Sequence, residues 1–378
     1  MITIKNGCVH IGNGTVLHNA DVKIDEGRIT DIGENLEGEG TIIDAEGMNV
    51  FPGFIDAMSV WGAFGYSFSE MDFDEKTNPI TPDLNVVYAF DASNINYQEL
   101  CEYGTTTVGV SPSNNNILGG QVAVFKTQVN SPFSMLVKEK VGLKASVTTA
   151  PKKTYGSQGT CPMTKMGIFG ELDRVFMEAK QYDVEKGRNE KLEVVKRVLN
   201  KEMPLMAAVN TKSELEALGH FLKKYDIDVV LCNAYKAPEC REVVKELNAS
   251  IILGDQVAAT TDYSSADMKT LKRMIEEGTL VAISSGCDGS TVGRENLLWN
   301  TFYMAQAGME SEDILTLITL NPAKILGVED KVGSIEVGKD GDITIWKGNP
   351  FDSFKASCCY TLINGEVVYK KGVIDPCC

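Results

Sequence analysis

Residues 1 to about 50 alternate apolar and polar positions, as in MITIKNGCVH and DVKIDEGRITDIG, with Asn-Gly and Glu-Gly interrupting the runs. Period-two alternation broken by such dipeptides predicts short antiparallel strands joined by tight turns. The same texture returns after residue 330, in GSIEVGKDGDITIWKGNP and CCYTLINGEVVYKKG. Two small β-pieces at opposite ends of a chain bury their apolar faces most simply against each other. Residues 1–50 and 331–378 are therefore expected to form one composite β-sandwich domain flanking the middle.

Residues 51–330 follow a different rhythm. Short continuous apolar runs recur: TTTVGVS (105–111), GLKASVT (142–148), PLMAAVN (204–210), DVVLCNA (228–234), SIILGD (250–255) and LVAISSG (280–286). Between several of them lie helical patterns such as NEKLEVVKRVLNKEM, SELEALGHFLKKY, ECREVVKEL and DMKTLKRMIEEG. Fully apolar strands alternating with amphipathic helices imply a parallel sheet covered by helices. Over this length the repetition predicts an α/β fold, a (β/α)8 TIM barrel. A doubly wound open sheet is the alternative, but no Gly-x-Gly-x-x-Gly follows an early strand, so its dinucleotide-binding form lacks the phosphate loop. In a barrel the chemistry sits at the C-terminal ends of the strands.

Composition changes this picture little. At 378 residues, 43% hydrophobic and 23% charged, the chain has the make-up of an ordinary soluble globular protein. No stretch approaches ~18 uninterrupted apolar residues, so no membrane span is expected. MITIKNGCVHIGNG shows no basic run followed by an apolar core, so no signal peptide is expected and the location is read as cytoplasmic. A formal charge of −16 repels phosphate backbones and anionic lipid, which argues against nucleic acid and membrane as partners. Ten cysteines include no Cys-x-x-Cys. Cys358-Cys359 and Cys377-Cys378 are adjacent pairs, and reduced thiols are expected throughout. The three histidines, His10, His18 and His220, are dispersed, which leaves no multi-histidine metal site.

The order of motifs resembles the metal-dependent amidohydrolase superfamily, whose members include imidazolonepropionase-like and dihydroorotase-like hydrolases. NVFPGFIDA resembles the entry into barrel strand 1, and GTTTVGVSP resembles strand 2. NILGGQVAVFKT and CPMTKMG resemble segments of one subgroup. TLNPAKILGVEDKVGSIEVGKDGDITIW is similar to the closing helix and returning strands, and is the most specific match.

The resemblance implies one or two divalent cations that activate water, with ligands at the strand ends. This chain departs from the pattern at each place. Met58 and Val60 stand where the family has His-x-His, and Thr149 stands at a Glu position. Ala208 and Asn210 replace a second His-x-His, Asn233 a single His, and Gly286 the Asp that serves as general base. Asp288, two residues on, is displaced from that place, and Cys287 beside it is the best local nucleophile. Lys126 and Lys144 lie nearby in sequence, and each is a candidate for carboxylation; the plainer reading of each is a surface or phosphate-binding lysine. Asp56 reads as structural. Gly119, Gly120 and Gln121 are candidates for a substrate cradle, against the plainer reading of a glycine turn.

Thioether, amide and aliphatic groups do not offset the dehydration of a hard cation, so no metal or other cofactor is expected. The expectation is an amidohydrolase-like protein without metal-dependent hydrolysis, acting as a binder of a neutral or weakly polar small molecule or as a partner protein, and forming a homo-oligomer, a dimer in the simplest case. The alternatives are a metal-independent hydrolase of non-peptide carbon–nitrogen or lactone bonds using Cys287 and Asp288, an active metal hydrolase with an unrecognised site, and a scaffolding subunit with a filled pocket.

Overall fold

The computed structural model describes residues 1–65, 67, 70–94, 99–128, 132–254, 267–286 and 293–372, with Pro132 in its backbone only. It contains two eight-stranded sheets. The first is built from both ends of the chain: β1 (Ile2–His10), β2 (Val16–Asp25), β3 (Arg28–Gly33), β4 (Thr41–Asp44) and β5 (Asn49–Pro52), joined by β14 (Ile343–Lys347), β15 (Ser357–Ile363) and β16 (Glu366–Lys370). The two ends meet where β14 runs antiparallel to β5, Ile345 opposite Val50. One core, including Ile4, Val22, Val50, Ile343, Ile345 and Leu362, collects apolar side chains from both ends, in keeping with a small β-sandwich.

The turns follow local chemistry with one exception. Glu26-Gly27 (φ 46° and 80°) and Asn364-Gly365 (φ 49° and 72°) both take the left-handed backbone that two-residue hairpins demand. Asn6-Gly7 does not turn the chain. It lies inside β1, where the register with β2 shifts between Ile4 and Gly7, so the dipeptide is a bulge. The pairing of β1 with β4 and β5 is parallel, not antiparallel as the alternation suggests.

The second sheet is the barrel, in chain order: β6 (Phe54–Ser59), β7 (Thr105–Val110), β8 (Leu118–Lys126), β9 (Leu136–Ser146), β10 (Leu205–Ala208), β11 (Val229–Cys232), β12 (Ser250–Leu253) and β13 (Val281–Ile283). All six apolar runs become strands of this sheet. Their continuous hydrophobicity has a direct cause. Leu143, Leu205, Leu231, Ile251 and Val281 face outward onto the helices. Their neighbours Met206, Val230, Ile252 and Ala282 face the barrel interior. A strand buried on both faces has no polar positions left to alternate.

The barrel departs from the expected all-parallel form at β8, which runs antiparallel to both β7 and β9. The expected helices form at Glu190–Leu199, Lys212–Leu222, Arg241–Glu246 and Met268–Glu276. The helix Lys212–Leu222 opens on a capping box, Thr211 bonding the backbone of Glu214 while the Glu214 carboxylate accepts from Thr211 N. No helix among the described residues is long and apolar enough to cross a membrane.

His10 belongs to the seam between sheet and barrel. It is buried, its Nδ1 lies 2.6 Å from Glu312 Oε1 and its Nε2 3.0 Å from Asn49 Oδ1, and it stacks on Phe51 at 4.4 Å. Its role is structural.

Candidate functional site at the strand ends

The first and last barrel strands are joined by two devices. At the lower end residues 317–318 wedge between them: Ile55 N donates to Ile318 O at 2.7 Å and Ile283 N to Leu317 O at 2.9 Å. At the upper end the junction is built on Asp56, which is buried. Its Oδ1 accepts from Ser284 Oγ at 2.6 Å and from Ser285 N at 2.9 Å, and its Oδ2 accepts from Trp61 Nε1 at 3.1 Å. Met58 N donates to Ser284 Oγ at 2.9 Å, and Gly286 N to Met58 O at 3.1 Å. Burial pushes the Asp56 carboxyl above the usual range, against the opposing pull of the bonds from Ser284, Ser285 and Trp61. Asp56 is thus the clasp of the barrel.

Above this clasp Met58 is fully buried, and Lys144 Nζ lies 3.5 Å from its Sδ. Lys144 sits on β9 between the outward-facing Leu143 and Ala145, so alternation directs it inward; it has no exposed surface. Lys144 is therefore not a surface lysine: it is an interior residue of the barrel. Val60, just past β6, is 2% exposed, and Ala208, the last residue of β10, is buried and has no donor atom.

The remaining positions owe much to backbone geometry. Asn233 follows β11 at φ 56°, a left-handed conformation that Asn tolerates and most residues do not. Gly286 has φ 107°, and a Cβ on Gly254 would lie 2.8 Å from the Gly286 Cα, so two backbones meet there. Asn210 is partly exposed, and its N–H donates to Glu214 Oε2 at 2.9 Å.

Thr149 does not join this group. It is the exposed first residue of helix Thr149–Gly156, whose cap is Thr148. Gly119, Gly120 and Gln121 form neither a turn nor an open cradle: they are buried within β8. Gln121 N donates to Leu84 O at 2.8 Å, and a Cβ on Gly120 (φ 130°) would lie 2.9 Å from Leu84 O. Lys126, at the far end of β8, is buried and ion-paired with Asp340 at 2.9 Å and Asp342 at 2.5 Å. The antiparallel course of β8 carries it away from the mouth, so the surface reading fails for it too. Cys287 and Asp288 lie outside the described residues.

Sequence reasoning missed Ser284 and Trp61. The period-two rule, applied to LVAISSG, places Ala282 and Ser284 on the inner face, which is the signal that would have found the former.

Among the described residues no group of three or more His, Cys, Asp or Glu side chains is placed to hold a metal ion. The donors that the vacated ligand positions do offer, with Lys144 beside them, are a thioether, two primary amides and an amine. A thioether is a soft, weak ligand for zinc, and a lysine in its ordinary charged form adds like charge. This donor set does not fit a divalent cation.

The barrel, its clasp and the composite sheet define a class. Residues 180–370, half of the chain, match the model described as "Amidohydrolase family", and the chain belongs to that family. It is similar to the dihydroorotase of Lactobacillus gasseri, 23% identical over 98% of this chain and 99% of that protein. An imidazolonepropionase of Fusobacterium nucleatum is 26% identical over 56% of this chain and 49% of that one. The crystal structure of an amidohydrolase from Thermotoga maritima superposes with a TM-score of 0.91 at 28% identity, covering 98% of this chain and 100% of that one. A zinc-bound adenosine deaminase from Xanthomonas campestris shares the fold, with a TM-score of 0.62 at 14% identity, covering 99% of this chain and 94% of that one.

Proposed function

We propose that this amidohydrolase-family chain binds a small neutral or weakly polar ligand at its barrel mouth and does not carry out metal-dependent hydrolysis. One observation carries the reading: Met58, fully buried beside the Lys144 amine, together with Val60 and Ala208, places thioether and aliphatic groups where metal activation of water needs imidazole and carboxylate. Asn210 and Asn233 offer amide hydrogen bonds to an uncharged ligand. Assembly of the chain with itself belongs to the same proposal, as does a role as partner to an active relative.

The test is a hydrolysis assay on freshly purified protein with dihydroorotate and imidazolonepropionate, substrates suggested by the names of its relatives, in the presence and absence of zinc and manganese. Rates at the buffer level under all conditions are expected. Turnover that depends on added cation, and disappears with chelator, would reject the reading. The competing hydrolase without metal rests on Cys287 and Asp288, and Cys287→Ala separates it: a cation-independent turnover abolished by that change establishes it.

A further inference from the structure

A cavity of about 240 Å³ lies on the flank of the molecule, where the terminal sheet meets the barrel. One wall is a single helical face: Glu295, Trp299 and Phe302 fall at spacings of four and three along the chain, starting at the cap of helix Asn296–Gln306. The opposite walls come from Glu102 and Tyr103, just before β7 and so at the end of the barrel away from the mouth, and from Phe354.

Two features set it apart from ordinary surface. Large aromatic groups stand in the open: Trp299 is 53% and Phe354 75% exposed. Phe354 is stacked on Phe302 with ring centroids 4.0 Å apart and planes at 22°. Carboxylates also converge on the aromatic surface. Burial pushes the pKa of the Tyr103 hydroxyl up, and the negative charges of Glu295 and Glu102 push it further in the same direction; all three residues line the cavity. Positive charge is scarcer. Among the described lining residues Lys371 stands against the two carboxylates. Arg294, 6.0 Å from the Tyr103 ring, is ion-paired with Glu99.

Ring faces carry negative electrostatic potential and attract organic cations, whose weak hydration makes them cheap to transfer from water. Carboxylates at the rim add long-range attraction, in a chain already of charge −16. We propose that this cavity binds a small organic cation, an amine or quaternary ammonium bearing an aryl or alkyl group. The proposal is independent of what the barrel mouth does.

The test titrates benzyltrimethylammonium into the full chain by calorimetry, with tryptophan fluorescence reporting on Trp299. Benzyl alcohol serves as the neutral counterpart and benzenesulfonate as the anionic one. The cation is expected to bind at least tenfold more tightly than the alcohol, and the sulfonate not at all. Glu295→Gln and Glu102→Gln, singly and together, are expected to weaken the cation at least fivefold in the pair while leaving the alcohol unchanged. Both side chains reach solvent and neither is part of the core, so the singles fold if the pair does not. Phe354→Ala is expected to weaken cation and alcohol alike. Equal affinity for alcohol and cation, or carboxamide variants without effect, overturns the proposal. So does sedimentation showing a dimer that Phe354→Ala dissociates, because the patch is then covered by a second copy. A trimethyl-lysine peptide that binds more tightly than benzyltrimethylammonium overturns the small-molecule assignment in favour of a modified protein side chain.

Discussion

Replacing Asp56 by Asn tests the barrel clasp. The carboxyl accepts three hydrogen bonds, from Ser284 Oγ, Ser285 N and Trp61 Nε1. Asparagine placed with its oxygen at the Oδ1 position keeps the two serine bonds and turns an NH2 group toward the Trp61 N–H. The Trp61 N–H loses its acceptor and faces a second donor, at a cost of about 1–3 kcal/mol. Asp56→Ala loses all three acceptor contacts and leaves a void, and about 3–5 kcal/mol is expected.

The pH dependence separates this account from simple loss of packing. Because burial raises the folded-state value, the native protein keeps a proton on Asp56 at pH values where the unfolded chain, with its ordinary value near 3.9, has released it. The stability so contributed is fully present below that ordinary value and is lost as pH rises through the folded one. Each pH unit over which the proton is held differently is worth about 1.4 kcal/mol. The difference in urea midpoint between wild type and Asp56→Asn, followed by tryptophan fluorescence, should be largest near pH 4 and shrink toward neutrality. A difference that is flat, or that grows with pH, would refute the argument and make Asp56 a conventional buried carboxylate.

Three further outcomes are expected. Lys126→Met leaves the buried Asp342 without its cation and Asp340 with only Arg28 at 3.7 Å, and should lower unfolding stability by about 3–5 kcal/mol, measured by chemical denaturation. Gly120→Ala forces a side chain into a left-handed backbone and against Leu84 O; thermal scans should show a loss of about 1–3 kcal/mol, whatever ligand is present. Thr149→Glu restores a carboxylate in sequence but on an exposed helix start, so calorimetry with zinc should show no gain in affinity over wild type.

Most of the fold could be read from the chain because its signals are local. Six apolar runs mark barrel strands, and the Glu26-Gly27 and Asn364-Gly365 dipeptides mark hairpins. What could not be read is non-local or ambiguous in period. Alternation says which face a residue takes but not which way its strand runs, so the reversed course of β8 was invisible, and with it the destination of Lys126. Asn6-Gly7 has the chemistry of a hairpin turn and a bulge alike. Lysines are rarely buried, which hid Lys144, although its place between Leu143 and Ala145 points inward. The Asp56–Ser284 contact joins residues 228 apart in sequence, and nothing in either neighbourhood announces the other. At the candidate site, Asn233 and Gly286 read as vacated ligand positions; the structure adds that their residue types suit the left-handed backbone each one adopts.

The central claim is that the barrel mouth does not hold a divalent ion. Elemental analysis of protein purified without chelator, then dialysed against equimolar zinc and desalted, measures this directly. The account predicts zinc and manganese well below one atom per chain. One tightly held atom per chain, retained through desalting and lost from a Lys144→Ala or Asn233→Ala variant, would contradict it.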